Sequence, residues 1–442
     1  MASTLSGADR STGCSAKQCV QLTLEGMAMG RESMVVFLVC VAAMSSVVLA
    51  DGPTARLANA KVVKVLSGKD EVRRSQAIAM LRNNPSSAEA LLEPLIALAR
   101  DQAEQAESTQ LVSPVMVDLL HVIGKVDRPQ SETLLIELLD CKQMGVSMVA
   151  ADVVGTNKMI SAIQPLIKQV DRAEFETSYG FRFNLVRALA LMEHRDAVVF
   201  LDKLRASLDG QLRYELDKLM SNVTAGSFDD DEDAFQSWKQ SRESKIKLAS
   251  SPSKSEYDDR MRLGPSPQYY GIDLHSKRMM FILDHSGSML DAEYGTTRLA
   301  RAKNELIRVI DQLPADAEFA IMFYSVAVNV WKTELVYATA QNKQDAIYFV
   351  NRLVAGTHTN THGALVRSLE FDDALEAVYL LTDGKPTVGA IVNPQGIIND
   401  IVHRNRFRHL NFNTIGVAVD GHTEQFLRRL AEQGAGEFRK AM

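Results

Sequence analysis

The sequence predicts a multidomain chain, an all-α helical-repeat region followed by a three-layer α/β domain with a mostly parallel sheet. Three observations predict it. Apolar residues recur at three-and-four spacing from Pro53 to about Val223, a polar Ser- and Pro-rich stretch follows, and beyond Tyr269 short apolar runs alternate with amphipathic ones. The 442 residues exceed what one core usually supports, and 46% apolar content suffices for real cores. A net charge of −6 without a basic tract argues against nucleic acid as a partner.

Residues 53–223 read as consecutive amphipathic helices with short breaks at Pro, Asn, Gly or Asp. The segments HVIGKVDRPQSETLLIELL, DVVGTNKMISAIQPLIKQV and ALALMEHRDAVVFLDKL share one grammar: a helix end, a polar turn, then a helix with paired apolar residues. Such a unit buries its apolar stripe only by stacking on neighbours. The pattern resembles degenerate HEAT-like repeats, and the concave face of such a stack is a candidate surface for a second partner.

Before it, residues 1–50 form an amino-terminal extension ending in the uncharged run MVVFLVCVAAMSSVVLA, with Arg31 ahead of it. Val48 and Ala50 then stand at the −3 and −1 positions of a secretory cleavage site. Export to the cell exterior or the periplasm and envelope is the expectation, with membrane anchoring only through this segment if it is not cleaved. Cleavage would leave Cys141 as the sole cysteine, so no intramolecular disulfide is expected. Residues 224–269 read as a charged, Ser/Pro-rich linker. Its acidic run, Asp229 to Asp233, lacks the glycine and the bidentate glutamate of a calcium loop, since Ala234 and Gln240 stand there.

From residue 270 to 442 the strands RMMFILD, EFAIMFYS, VAVNVWK, AVYLLTD and NTIGVAV alternate with helices, of which TEQFLRRLAEQ is the last. Apolar-throughout strands interleaved with helices give a parallel sheet covered on both faces, with ligands at the carboxyl ends of strands. Three oxygen-rich loops are expected at such ends. FILDHSGS offers Asp284, Ser286 and Ser288 around Gly287; AGTHTNTHGAL offers Thr357, Thr359 and Thr361; AVYLLTDGKP offers Asp383. Carboxylates and hydroxyls without thiolate or imidazole suit a hard divalent cation.

In order and spacing these loops resemble the von Willebrand factor A family, a Rossmann-like fold whose metal-ion-dependent adhesion site combines D-x-S-x-S, a threonine in a second loop and the aspartate of T-D-G. The resemblance implies a metal site of Asp284, Ser286, Ser288, Thr359 and Asp383, with Thr357 as the alternative threonine. It implies Mg2+, or Mn2+ or Ca2+, as cofactor and a vacant coordination position that accepts a Glu or Asp from a protein partner. His285, where the family often has a small or apolar residue, is expected to face outward. The expected function is non-enzymatic, metal-dependent protein binding in adhesion or complex scaffolding. An assembly or chaperone subunit acting with an ATPase is the alternative, with a metal-dependent hydrolase behind it. A zinc hydrolase built on His358 and His362 lacks the glutamate of H-E-x-x-H, and no phosphate loop, nucleophile elbow or dinucleotide fingerprint is present.

Overall fold

The computed structural model describes residues 53–220, 236–237, 240, 267–293 and 295–441. The apolar leader and most of the linker lie outside the described residues. Among the described residues no helix is long and apolar enough to cross a membrane.

The first region is helical throughout. Its longer helices span Pro53–Leu66, Glu71–Arg82, Leu92–Thr109, Pro114–Gly124, Pro129–Leu139, Met144–Thr156, Tyr179–Leu191, Arg195–Arg205 and Gly210–Met220. Their starts carry the expected chemistry: Asp70, Ser113 and Ser178 accept hydrogen bonds from the backbone N–H groups of Arg73, Met116 and Phe181. Helix Met144–Thr156 packs against both Pro129–Leu139 and Tyr179–Leu191. Its buried stripe includes Val146, Val149 and Val153. Gly155 lets the backbones close in, since a Cβ there would stand 2.6 Å from the Ala188 Cα.

The second region is a seven-stranded, mostly parallel sheet. Its strands are β1 (Arg278–Asp284), β2 (Glu318–Tyr324), β3 (Val328–Val330), β4 (Val336–Tyr337), β5 (Ala377–Thr382), β6 (Asn411–Val417) and β7 (Phe438–Ala441). They lie in the order β7-β6-β5-β1-β2-β3, with β4 also on β2; only β3 and β4 run antiparallel. The helices are α1 (Arg298–Gln312), α2 (Ala340–Arg352), α3 (Thr361–Leu369), α4 (Pro394–Asn405) and α5 (Gly421–Gln433). Strand β1 shows why three layers form. Met279, Phe281 and Leu283 enter one core with Leu306, Val309 and Val350 of α1 and α2, while Met280 and Ile282 enter the other with Leu365, Ile398 and Leu427 of α3, α4 and α5. Because β2 and β5 flank β1 on opposite sides, strand order reverses at β1, and its carboxyl end is the sheet's switch point.

Two features differ from expectation. The chain closes on a strand after α5, not on the helix: β7 pairs with β6 at the sheet edge. With only Phe438 and Ala441 apolar in a four-residue run, it carries no strand signature of its own. The helical region also does not stand clear of the sheet as an arm; one apolar cluster runs through both.

The two regions meet at the amino ends of the strands. Tyr179 N donates to Asp373 O at 2.9 Å, and Asn184 Nδ2 donates to Phe407 O at 2.9 Å. Gly180 allows this approach, because a Cβ would lie 2.6 Å from that same carbonyl oxygen. Glu376, buried just before β5, accepts from the backbone N of Lys277 at 2.9 Å and of Gln211 at 3.3 Å. The guanidinium groups of Arg278 and Arg182 stand 3.3 and 3.7 Å from the same carboxylate. Burial raises its pKa against the pull of these partners.

His409 gives the junction a pH dependence. Its ring lies 4.4 Å from Phe183 and its Nε2 3.3 Å from Asn184 Oδ1; burial, and then Arg187, lower its pKa from 6.5 to about 4. The folded state therefore takes up its proton later than the unfolded one. Stability from this group is present above the unfolded pKa and is lost as pH falls from 6.5 towards 4. The loss amounts to about 2 to 3 kcal/mol at the shift of roughly 1.4 kcal/mol per unit. Urea midpoints at pH 7 and pH 5 should differ in wild type and differ less in His409→Phe.

Candidate metal site at the carboxyl edge of the sheet

The expected residues come together at the carboxyl ends of β1 and β5. Asp284 is the last residue of β1, paired with Tyr324 of β2, and its side chain is buried. Both of its oxygens are engaged: Oδ1 accepts from Ser286 N at 2.8 Å and Oδ2 from Thr382 Oγ1 at 2.6 Å. Ser286 Oγ lies 3.2 Å from Ser288 Oγ, which donates to Asp383 Oδ1 at 2.8 Å. A continuous polar chain thus links one carboxylate to the other. Ser286 is buried while Ser288 reaches solvent.

The second loop is stitched onto the first through backbone. Gly287 N donates to Thr357 O at 3.1 Å and Gly356 N to His285 O at 2.6 Å. Gly356 is needed for that contact, since a Cβ there would meet Ser325 Oγ at 2.4 Å. Of the two candidate threonines, Thr359 is buried and Thr357 exposed; the Thr357 hydroxyl lies 3.0 Å from His358 Nδ1. Thr359 is fixed from the third loop, its N donating to Thr387 Oγ1 and its carbonyl accepting from Thr387 N, each at 2.9 Å. His285 does not face outward. It is half-buried, its Nδ1 lies 2.8 Å from Val354 O, and its ring centroid lies 5.4 Å from that of Phe323, so the imidazole braces the two loops.

Burial raises the Asp284 carboxyl to about 6, with Thr382 and Ser286 pulling down through hydrogen bonds and Asp383 pushing up through its charge. The site therefore holds a carboxylate short of positive charge. Among the described residues no group of three or more His, Cys, Asp or Glu could hold a metal, so a cation here must draw on hydroxyls. The donors fit that demand: Ser286 and Ser288 hydroxyls beside Asp383 Oδ1, with Asp284 behind them as charge balance, are all hard oxygens.

Three residues of the site escape a reading of the motif. Thr382 was legible as the residue before Asp383 in T-D-G, yet its bond is to Asp284. Thr387 carries no motif. Arg298, the first residue of α1, donates through Nη1 to Asp383 Oδ2 at 3.0 Å and to Asp291 Oδ2 at 3.3 Å. Its one sequence signal is a cation at a helix start, where the helix dipole disfavours it.

A parallel sheet with its switch point at an Asp-x-Ser-x-Ser loop, backed by a threonine loop and a Thr-Asp-Gly strand end, defines a von Willebrand factor type A domain. Residues 279–441 match that family, and the chain carries such a domain after its helical region. The chain is similar to inter-alpha-trypsin inhibitor heavy chain 4 of Mus musculus, at 32% identity over 137 residues, 28% of this chain and 14% of that protein. It is also similar to von Willebrand factor A domain-containing protein 3A of Homo sapiens, at 31% identity over 179 residues, 40% of this chain and 14% of that protein. It thus spans less than a fifth of the length of these relatives. Among solved structures, a von Willebrand factor type A protein from Catenulispora acidiphila shares 21% identity with a TM-score of 0.32, over 39% of this chain and 40% of that one.

Proposed function

We propose that the chain is a non-enzymatic protein-binding protein, working at the cell envelope or exterior, whose type A domain presents a divalent cation to a partner's Glu or Asp. Asp284, Ser286, Ser288, Thr359 and Asp383 form the site, with Mg2+ the foremost candidate and Mn2+ or Ca2+ compatible with the same oxygens. The observation that carries the reading is the polar chain from Asp284 through Ser286 and Ser288 to Asp383: buried at its carboxylates, open to solvent at Ser288. When bound, the cation would supply an electrophilic position for an incoming carboxylate.

The surroundings favour a protein over a small molecule. Leu290, Val326, Val354 and Val392 are exposed, one on each of four loops at this edge of the sheet. Exposed apolar residues beside a charged centre are the anatomy of an interface core. Thr359, buried beside Thr387, suits the ligand role better than the exposed Thr357. The stacked helices are read as HEAT-like.

Full-length protein should be stabilised by Mg2+ or Mn2+ by about 2.7 kcal/mol at a hundredfold excess over the dissociation constant. Capture of envelope partners should require the cation, vanish in chelator and fall at least tenfold in Ser288→Ala, whose exposed hydroxyl can be lost without unfolding the chain. Unchanged melting with every divalent ion would sink the reading, as would capture that survives chelation.

A further inference from the structure

Arg298 occupies an unexpected seat. It is a cation at the first position of a fifteen-residue helix whose first turn holds no acidic residue, a placement the helix dipole opposes. Its side chain is one-fifth exposed and reaches the fully buried side chain of Asp383 on another loop. Local chemistry is sacrificed here for a long-range pairing, the pattern expected where function overrides stability.

The pairing is also weakly made. One nitrogen, Nη1, serves three acceptors: Asp383 Oδ2 at 3.0 Å, Asp291 Oδ2 at 3.3 Å and Ser288 O at 3.5 Å. The guanidinium does not form the two-pronged contact that would lock it to a carboxylate. Its Nε is buried without a hydrogen-bond partner. Asp383 Oδ1 already accepts from Ser288, so Arg298 holds the remaining oxygen of the carboxylate. Asp291, by contrast, is exposed and lies within reach of the same nitrogen.

Resting on the cation-site reading above, we propose that Arg298 is a resident counter-ion of Asp383, competing with the divalent cation and moving over to Asp291 when the cation loads. The two positive charges are mutually exclusive at one carboxylate. Occupancy of the metal site and the position of the amino end of α1 are then coupled, and Asp291 is the acceptor that makes the exchange inexpensive.

Calorimetric titration of the full-length protein with MnCl2 tests this. Arg298→Gln should bind Mn2+ about tenfold more tightly, within the usual range of coupling between two competing ligands. Asp291→Asn should bind it more weakly than wild type, and the double variant should match Arg298→Gln, because Asp291 acts only through Arg298. Lys385→Gln is the charge control. Lys385 lies two residues from Asp383 but pairs with Asp420 at 2.9 Å, so its loss should change affinity less than twofold. An Arg298→Gln affinity no tighter than that of Lys385→Gln, or a double variant as weak as Asp291→Asn, overturns the role of Arg298 while leaving the cation site standing. No Mn2+ binding by any of these proteins removes the cation site and this proposal together.

Discussion

Asp284→Asn is expected to be more stable than wild type without divalent cations, and to gain nothing when they are added. The argument starts from burial: the fold raises this carboxyl from 3.8 to about 6, chiefly by removing it from water. Below the unfolded pKa both states are protonated and the group contributes nothing. As pH rises from about 4 to 6 the unfolded chain ionises first, so the cation-free fold loses stability, and above 6 the penalty is constant. At pH 8 this amounts to about 2 to 3 kcal/mol at roughly 1.4 kcal/mol per unit. Asparagine keeps the shape, can still accept from Ser286 N, and carries no charge to bury. Melting curves at pH 8 with chelator, and again with excess Mn2+, give the two readings. A less stable variant, or one that still responds to Mn2+, would show that Asp284 serves the fold and not the cation.

The second large effect belongs to the opposite end of the sheet. Glu376→Gln should cost about 3 to 5 kcal/mol, the usual consequence of removing one partner from a buried charged cluster. Arg182 and Arg278 would be left beside a neutral amide, and Arg182 Nε and Nη2 already lack hydrogen-bond partners. The Mn2+ response should survive, because Glu376 precedes β5 while Asp383 follows it. Urea unfolding of the full-length variant, with and without Mn2+, checks both parts. A cost under 1 kcal/mol would mean that the junction is held by its apolar contacts alone.

What could be read from the sequence follows the range of the forces involved. Strand β1 declared itself because RMMFILD is apolar on both faces and stops at a carboxylate, and α1 and α5 because their apolar stripes repeat every three or four residues. The loops bearing Asp284, Thr359 and Asp383 were legible because fixed spacing after a strand end places a side chain predictably. The docking of the helical region was not. It depends on Asn184, Gln211 and Glu376, polar residues that look like surface in one dimension and acquire partners only across 165 or more positions of chain. Strand β7 was hidden because edge pairing through backbone asks little of side chains. The inward turn of His285 depends on Val354 O and Phe323, neither of which the D-x-S-x-S string contains.

The junction at the amino ends of the strands also governs how this protein can be divided. A fragment beginning near Gln268 would keep every residue of the cation site, yet it would uncover His275, stacked in the intact chain at 4.2 Å on Tyr214, and Asn411, bonded at 3.1 Å to Glu215 Oε1. Glu376 would lose Arg182 and the backbone of Gln211 at the same cut. Such a fragment would carry a freshly wetted apolar and polar face, prone to self-association. Poor solubility of an isolated type A domain from this chain would therefore report a missing neighbour, and adding the helical region back, not altering the loops, is what should rescue it.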